Sequence, residues 1–297
     1  MRVLLLIAAT LSAALCAEDT TSRFAPFGAG QTVHYESYGT GREAVVFIHG
    51  WTCDLTFWRK QEPLYASRRS LLVDLPGHGQ SSKPVVGYPT DLMARGVEAA
   101  MRDAGVDRAV LVGHSLGGPV AYALLRQFPE KVIGLVLVDT SVAPPASPEA
   151  GSTTAQRRRA ARAKALDGMR DRQLRGPNGE QILLNEIEGM FSERTTPEMR
   201  EEIRTKMLAT PPHVRAKALT SPSGLRPARV GQTYDIPAIA VQAADERTGQ
   251  RFDLMLRLFP RMMLEAWDGY GHFLMMEDPE RFNHVLERFL ASVFPSP

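Results

Sequence analysis

The 297-residue chain has little cysteine, only Cys16 and Cys53, and it carries no CxxC, no HExxH and no glycine-rich phosphate loop. A disulfide framework is thereby excluded, and nothing points to a metal or nucleotide cofactor; the expectation is none. Beyond the first seventeen residues no apolar run approaches the length of a membrane span. Net charge is only +2, so composition gives no footprint for a nucleic-acid partner.

What is present is an ordinary globular composition, 44% hydrophobic and 23% charged, at a length that suits one α/β domain with an insertion. The chain begins MRVLLLIAATLSAALCA, followed by Glu18 and Asp19. Arg2 supplies a positive start, Val3 to Leu15 an apolar run, and Ala14 to Ala17 small residues suited to cleavage. Residues 1–17 therefore read as a signal peptide, and the protein as exported, periplasmic or secreted. A short buried helix is the competing reading, but nothing amphipathic occurs in the run. Lipidation at Cys16 is disfavoured because Leu15 precedes it, and Cys53 reads as a small apolar residue packed near Trp51.

Strand-like runs occur at Thr32–Ser37, Ala44–Ile48, Ser70–Val73, Arg108–Val112, Val132–Val138, Ala238–Gln242 and Met262–Ala266. Helical stretches are expected at Phe57–Ala66, Asp91–Ala104, Leu116–Gln127, Gln250–Leu258 and Pro279–Val293. The alternation predicts an α/β fold with a mostly parallel central sheet flanked by helices. Residues 141–234 interrupt it. They open on a proline-rich PPASP at Pro144–Pro148, show no strand-like run, and hold 16 Lys and Arg against 10 Asp and Glu. This predicts a helical cap over 141–234, inserted into a core made of 18–140 and 235–297. The basic run Gln156–Lys164 fits acidic lipid or nucleic acid, but a solvated helix face explains it better because acidic residues follow.

Gly113-His114-Ser115-Leu116-Gly117 matches G-x-S-x-G. It directly follows the strand AVLV and opens the helix LGGPVAYALL, the strand–turn–helix setting that exposes a nucleophilic serine. The alternative is a helix that merely begins with these residues. His49-Gly50-Trp51 follows the strand AVVFI, where a backbone N–H can assist that of Leu116 in holding an oxyanion; otherwise Trp51 only packs. His272, in Gly271-His272-Phe273, follows the last strand and is the histidine of seven placed to act as base. His49, His78 and His114 read as structural, and His34, His213 and His284 carry no further signal.

The motifs HGW, DLPGHGQS, VGHSLGG, GLVLVDT and DGYGHFLMMEDPERF stand in the order found in the α/β-hydrolase superfamily. The chain resembles its capped serine esterase and lipase-like branch over about residues 31–140 and 236–294. That resemblance implies Ser115 as nucleophile, His272 as base, and Trp51 and Leu116 as oxyanion donors. The third member departs from the pattern. After the strand AIAVQ comes Ala243-Ala244-Asp245-Glu246, with alanine where the family has glycine and Asp245 one residue early. Some relatives place the acid at the end of the strand before the cap, here Asp139. The order of preference is Asp245, then Asp139, then Glu246.

The expected reaction is hydrolysis of a small-molecule carboxylic ester through an acyl-enzyme on Ser115. Amide, lactone or carbon–carbon hydrolysis, transacylation, or a binding protein without turnover are the alternatives. A serine in the elbow argues against epoxide hydrolases and haloalkane dehalogenases, whose nucleophile there is aspartate.

Overall fold

The computed structural model describes residues 21–28, 30–142, 165, 168–219 and 232–294. Its strands are β1 (Thr21–Phe27), β2 (Gln31–Tyr38), β3 (Glu43–Ile48), β4 (Ser70–Val73), β5 (Arg108–His114), β6 (Val132–Val138), β7 (Ala238–Ala243) and β8 (Met263–Trp267). They form one eight-stranded sheet in the order β1-β2-β4-β3-β5-β6-β7-β8. β1 pairs antiparallel with β2, and β2 with β4; every later pair is parallel.

The central strands read EAVVFI, RAVLVGH and VIGLVLV, near-continuous apolar runs, as strands covered on both faces must be. Val46, Phe47, Ile48, Leu111, Val112, Leu135 and Leu137 have no exposed surface. Burying a side chain of this size contributes about 1.5–3 kcal/mol, so this layer fixes the sheet. Register then fixes the site. Ile48 lies beside Gly113, Gly113 beside Leu137, and Val138 beside Val241. The chain therefore leaves β3, β5, β6 and β7 along one carboxyl edge, the edge where open parallel sheets hold their ligands.

Two local expectations need correction. Phe57–Ala66 is not one helix but a 3-10 turn, Leu55–Gln61, followed by a short α-helix, Glu62–Tyr65. Pro63 stands at the start of the second piece and has no N–H to continue the ladder of the first. β1 was also not foreseen. Its sequence TSRFAPF mixes exposed residues with Pro26, and its order comes from pairing with β2, from Thr21↔Ser37 to Phe27↔Gln31. Such proline is tolerated on an edge strand. The other strands and the helices Thr90–Asp103, Gly117–Gln127, Thr248–Leu258 and Pro279–Val293 lie within two residues of their expected bounds.

Between β6 and β7 the described residues are helical, at 168–175, Gly179–Glu188, Pro197–Ala209 and Pro212–Leu219, with no strand among them. The leader segment 1–17 and the basic run 156–164 fall outside the described residues. Among the described residues no helix is long and apolar enough to cross a membrane.

Candidate active site

Ser115 occupies the turn between β5 and the helix Gly117–Gln127, with φ +52°, a region that non-glycine residues seldom enter. Three hydrogen bonds hold it there. Its N–H donates to the Val138 carbonyl at 3.0 Å, and its carbonyl accepts from the Gly118 N–H at 3.0 Å and the Thr140 hydroxyl at 2.6 Å. The turn also demands close backbone approach. A Cβ on Gly117 would lie 2.2 Å from the Ile48 carbonyl oxygen, so this glycine is obligatory.

His272 is fixed through its backbone and its ring. Its N–H donates to the Met190 carbonyl at 2.8 Å, which ties the loop to the helical segment above. Its Nδ1 lies 2.5 Å from Asp139 Oδ2. With the proton on Nδ1 facing the carboxylate, the Nε2 lone pair is left for another donor. Asp139 itself sits just beyond β6 at φ +41°, and its other oxygen accepts the Ala243 N–H at 3.0 Å. Both carboxylate oxygens are thus engaged, one by the β7 backbone and one by the histidine.

The preference for Asp245 is overturned here. Asp245 is exposed, and its carboxylate takes the Arg251 guanidinium at 2.9 Å, the Arg247 N–H at 2.8 Å and the Thr248 hydroxyl at 3.1 Å. The Arg251 side chain holds its carboxyl down at about 2. Asp245 sits in the turn before the helix Thr248–Leu258 and borders an outer cavity of about 320 Å³ that also reaches Asp139 and His272. Glu246 is exposed beside it and pairs with no histidine.

Ser115, Asp139 and His272 line a single cavity of about 410 Å³, together with Trp51 and Leu116. The backbone N–H groups of Trp51 and Leu116 have no acceptor among the described residues, as expected of donors kept for a ligand oxygen. The Trp51 loop is held from above by its indole N–H, which donates to the Arg215 carbonyl at 2.9 Å, and by the Thr210 hydroxyl on the Thr52 carbonyl at 3.0 Å. Cys53, Pro119, Met190, Met207 and Phe273 make most of the remaining wall apolar. Burial pushes the Cys53 thiol up, so it stays protonated and serves as packing.

Two charged residues in the wall were missed from sequence. Arg170 and Glu186 come from different helices of the 168–219 segment and meet at 2.6 Å on the cavity surface. A long-range ion pair of this kind has no sequence spacing to announce it. Of the apolar residues in the same segment, Leu183 and Ile187 are its own core, while Met190 faces the cavity. His49 and His114 are wholly buried and hydrogen-bonded to the backbone. His49 Nδ1 donates to the Gly50 carbonyl at 2.8 Å, and His114 Nε2 to the His272 carbonyl at 2.8 Å. Burial holds both rings neutral, below the ordinary histidine value. Among the described residues no cluster of His, Cys, Asp and Glu could hold a metal.

An elbow serine, a carboxylate-oriented histidine and free amides at the carboxyl edge of a parallel sheet define an enzyme of the α/β class. Residues 45–285 match the model of the alpha/beta hydrolase family, so the chain belongs to that family and is a hydrolase. It is 30% identical to a 2-hydroxy-6-oxononadienedioate/2-hydroxy-6-oxononatrienedioate hydrolase of Paraburkholderia phymatum, over 92% of this chain and 97% of that one. Among solved structures, Est816, described as an N-acyl homoserine lactone degrading enzyme, is 27% identical with TM-score 0.71, over 90% of this chain and 100% of that one. A thermophilic esterase from Thermogutta terrifontis is 25% identical with TM-score 0.73, over 92% and 99%.

Proposed function

We propose that the protein is a serine hydrolase that cleaves a neutral carboxylic ester or lactone through an acyl-enzyme on Ser115. The observation that carries this reading is the Asp139–His272 contact at 2.5 Å in the wall of the cavity that Ser115 also lines. With Nδ1 protonated toward Asp139, His272 takes the Ser115 proton on Nε2 as the hydroxyl oxygen attacks the carbonyl carbon. The amides of Trp51 and Leu116 hold the oxyanion. His272 then protonates the leaving alcohol, and the same residue activates the water that releases the acid. Asp139 orients the ring and stabilises its cation without accepting the proton.

The preference for an uncharged substrate rests on the cavity wall. A free arginine there would favour a carboxylate, but Glu186 already neutralises Arg170. A cavity of about 410 Å³ suits a small molecule. The named relatives open a second reading, carbon–carbon hydrolysis of a dioate, and the Arg170–Glu186 pair weighs against it. Export follows as part of the proposal from the leader-like residues 1–17.

The test is hydrolysis of p-nitrophenyl esters from acetyl to palmitoyl and of a lactone series. Turnover that vanishes in Ser115→Ala supports the proposal. A folded wild type inactive on every ester and lactone overturns it and moves attention to carbon–carbon substrates.

A further inference from the structure

Away from the cavity, another serine, histidine and aspartate stand in one hydrogen-bonded line. Ser22 Oγ lies 2.9 Å from His34 Nε2, and His34 Nδ1 lies 2.7 Å from Asp74 Oδ2. The carboxylate on Nδ1 fixes the tautomer, so Nε2 carries the lone pair and the Ser22 hydroxyl donates to it. This is the arrangement that activates a nucleophile, a hydroxyl on a base that a third group orients. The orienting group is firmly held. Asp74 is buried and also accepts the N–H of Leu55 and that of Gln80, both at 2.8 Å. Burial pushes its carboxyl up, but the His34 hydrogen bond and these two amides outweigh that and hold it below its ordinary value.

The serine is accessible while its base is not. Ser22 is exposed on the edge strand β1, whereas His34 has no exposed surface. Phe24, two residues along the same face, is 49% exposed and packs its ring 5.0 Å from the His34 ring. An aromatic platform thus lies beside the hydroxyl. Among the described residues, Ser22 lines neither the Ser115 cavity nor the outer cavity beside Asp245.

We propose that Ser22 is a surface nucleophile, activated by His34 and Asp74, that is acylated once by activated aryl esters and does not turn over. In the step, Ser22 Oγ bonds to the ester carbonyl carbon as His34 Nε2 takes its proton. The carbon–oxygen bond to the aryl group breaks, His34 returns the proton to the departing aryl oxide, and a phenol leaves with the acyl group on Ser22. Among the described residues the acyl group stays on the open strand edge, outside the Ser115 cavity and with no enclosure to position a water against it, so the ester persists.

The experiment uses the full chain as Ser115→Ala, which separates this inference from the proposed function. It is mixed with p-nitrophenyl acetate, with p-nitrophenolate release followed by absorbance and acetylated serines located by peptide mass mapping. The expected result is one equivalent released without steady turnover, and acetyl on Ser22. In the same background His34→Gln should slow the acetylation about a hundredfold or more, the usual contribution of a general base. Because His34 is buried and its replacement can unfold the chain, Ser22→Ala provides a surface control that leaves the His34–Asp74 pair intact. It should abolish the burst while the thermal midpoint holds. Acetyl found on exposed serines indiscriminately, or on Ser22 at the same rate in folded His34→Gln, overturns the inference. Loss of the burst in Ser115→Ala itself, with no acetyl on Ser22, overturns it as well.

Discussion

Among the described residues stand two histidine–aspartate pairs, each with a serine proposed to act with it, and they keep different company. His34–Asp74 is the more deeply buried, with side chains 1% and 2% exposed, against 21% and 15% for His272–Asp139. Its serine lies on an open edge strand, whereas Ser115 lies in a strained turn inside a cavity with two unengaged amides. The contrast teaches that a base oriented by a carboxylate is enough to activate a hydroxyl, while turnover also needs enclosure and donors for the developing charge. Here those donors come from backbone just beyond β3 and β5, which the carboxyl edge of the parallel sheet brings together.

The comparison is broken most severely at Ser115. Ser115→Ala should reduce ester kcat by more than about ten-thousandfold, measured as steady-state release, whatever Ser22 does in a single turnover. Next comes the acid. Asp139→Asn should cost about a thousandfold in kcat with KM little changed, whereas Asp245→Asn should stay within about twofold, as a surface change does. The reverse order in that pair of rates would return the role to Asp245.

The substrate preference is a smaller effect. Removing the negative partner in Glu186→Gln leaves the Arg170 charge uncompensated at the cavity wall. For acyl chains ending in a carboxylate, kcat/KM should then rise about tenfold relative to alkyl chains of equal length. A ratio that does not move would remove Glu186 from the specificity argument.

The smallest effect is on stability and concerns the buried pair's surroundings. Burial holds the His78 ring down at about 3, against an ordinary value of 6.5. The unfolded chain therefore binds a proton that the folded chain refuses between those values. The contribution is complete above pH 6.5 and is lost as pH falls toward 3. Asp74, held below its ordinary 3.8, adds a loss in the same direction at the acid end. The thermal midpoint should drop by a few degrees between neutral pH and about pH 5, and His78→Gln, if folded, should flatten that slope.

Much of this was legible in the residues. The apolar runs of β3, β5 and β6 are long enough to announce a covered parallel sheet, and G-H-S-L-G between such a run and a helix announces the elbow. Gly271-His272-Phe273 after the last strand gave the histidine. The acid was not legible, because the sequence puts an aspartate just beyond both β6 and β7. Which one meets His272 depends on the neighbouring strand. The Ala243 N–H turns one oxygen of Asp139 inward and leaves the other for the ring, while Arg251 and the helix start at Thr248 hold Asp245 at the surface. The Ser22–His34–Asp74 line was hidden for the same reason, since its members stand on three different strands or their ends.

The sequence by itself determined the layered fold and marked Ser115, His272, Trp51 and Leu116 as the candidates for the proposed site, because each follows from a short local pattern of polarity and glycine. Only the tertiary structure showed that Asp139 meets His272, that Arg170 pairs with Glu186 in the cavity wall, and that Ser22 meets His34. Each of these is a meeting of side chains more than ten residues apart, and such meetings are set by how strands order and register and how helices pack, which no local pattern encodes.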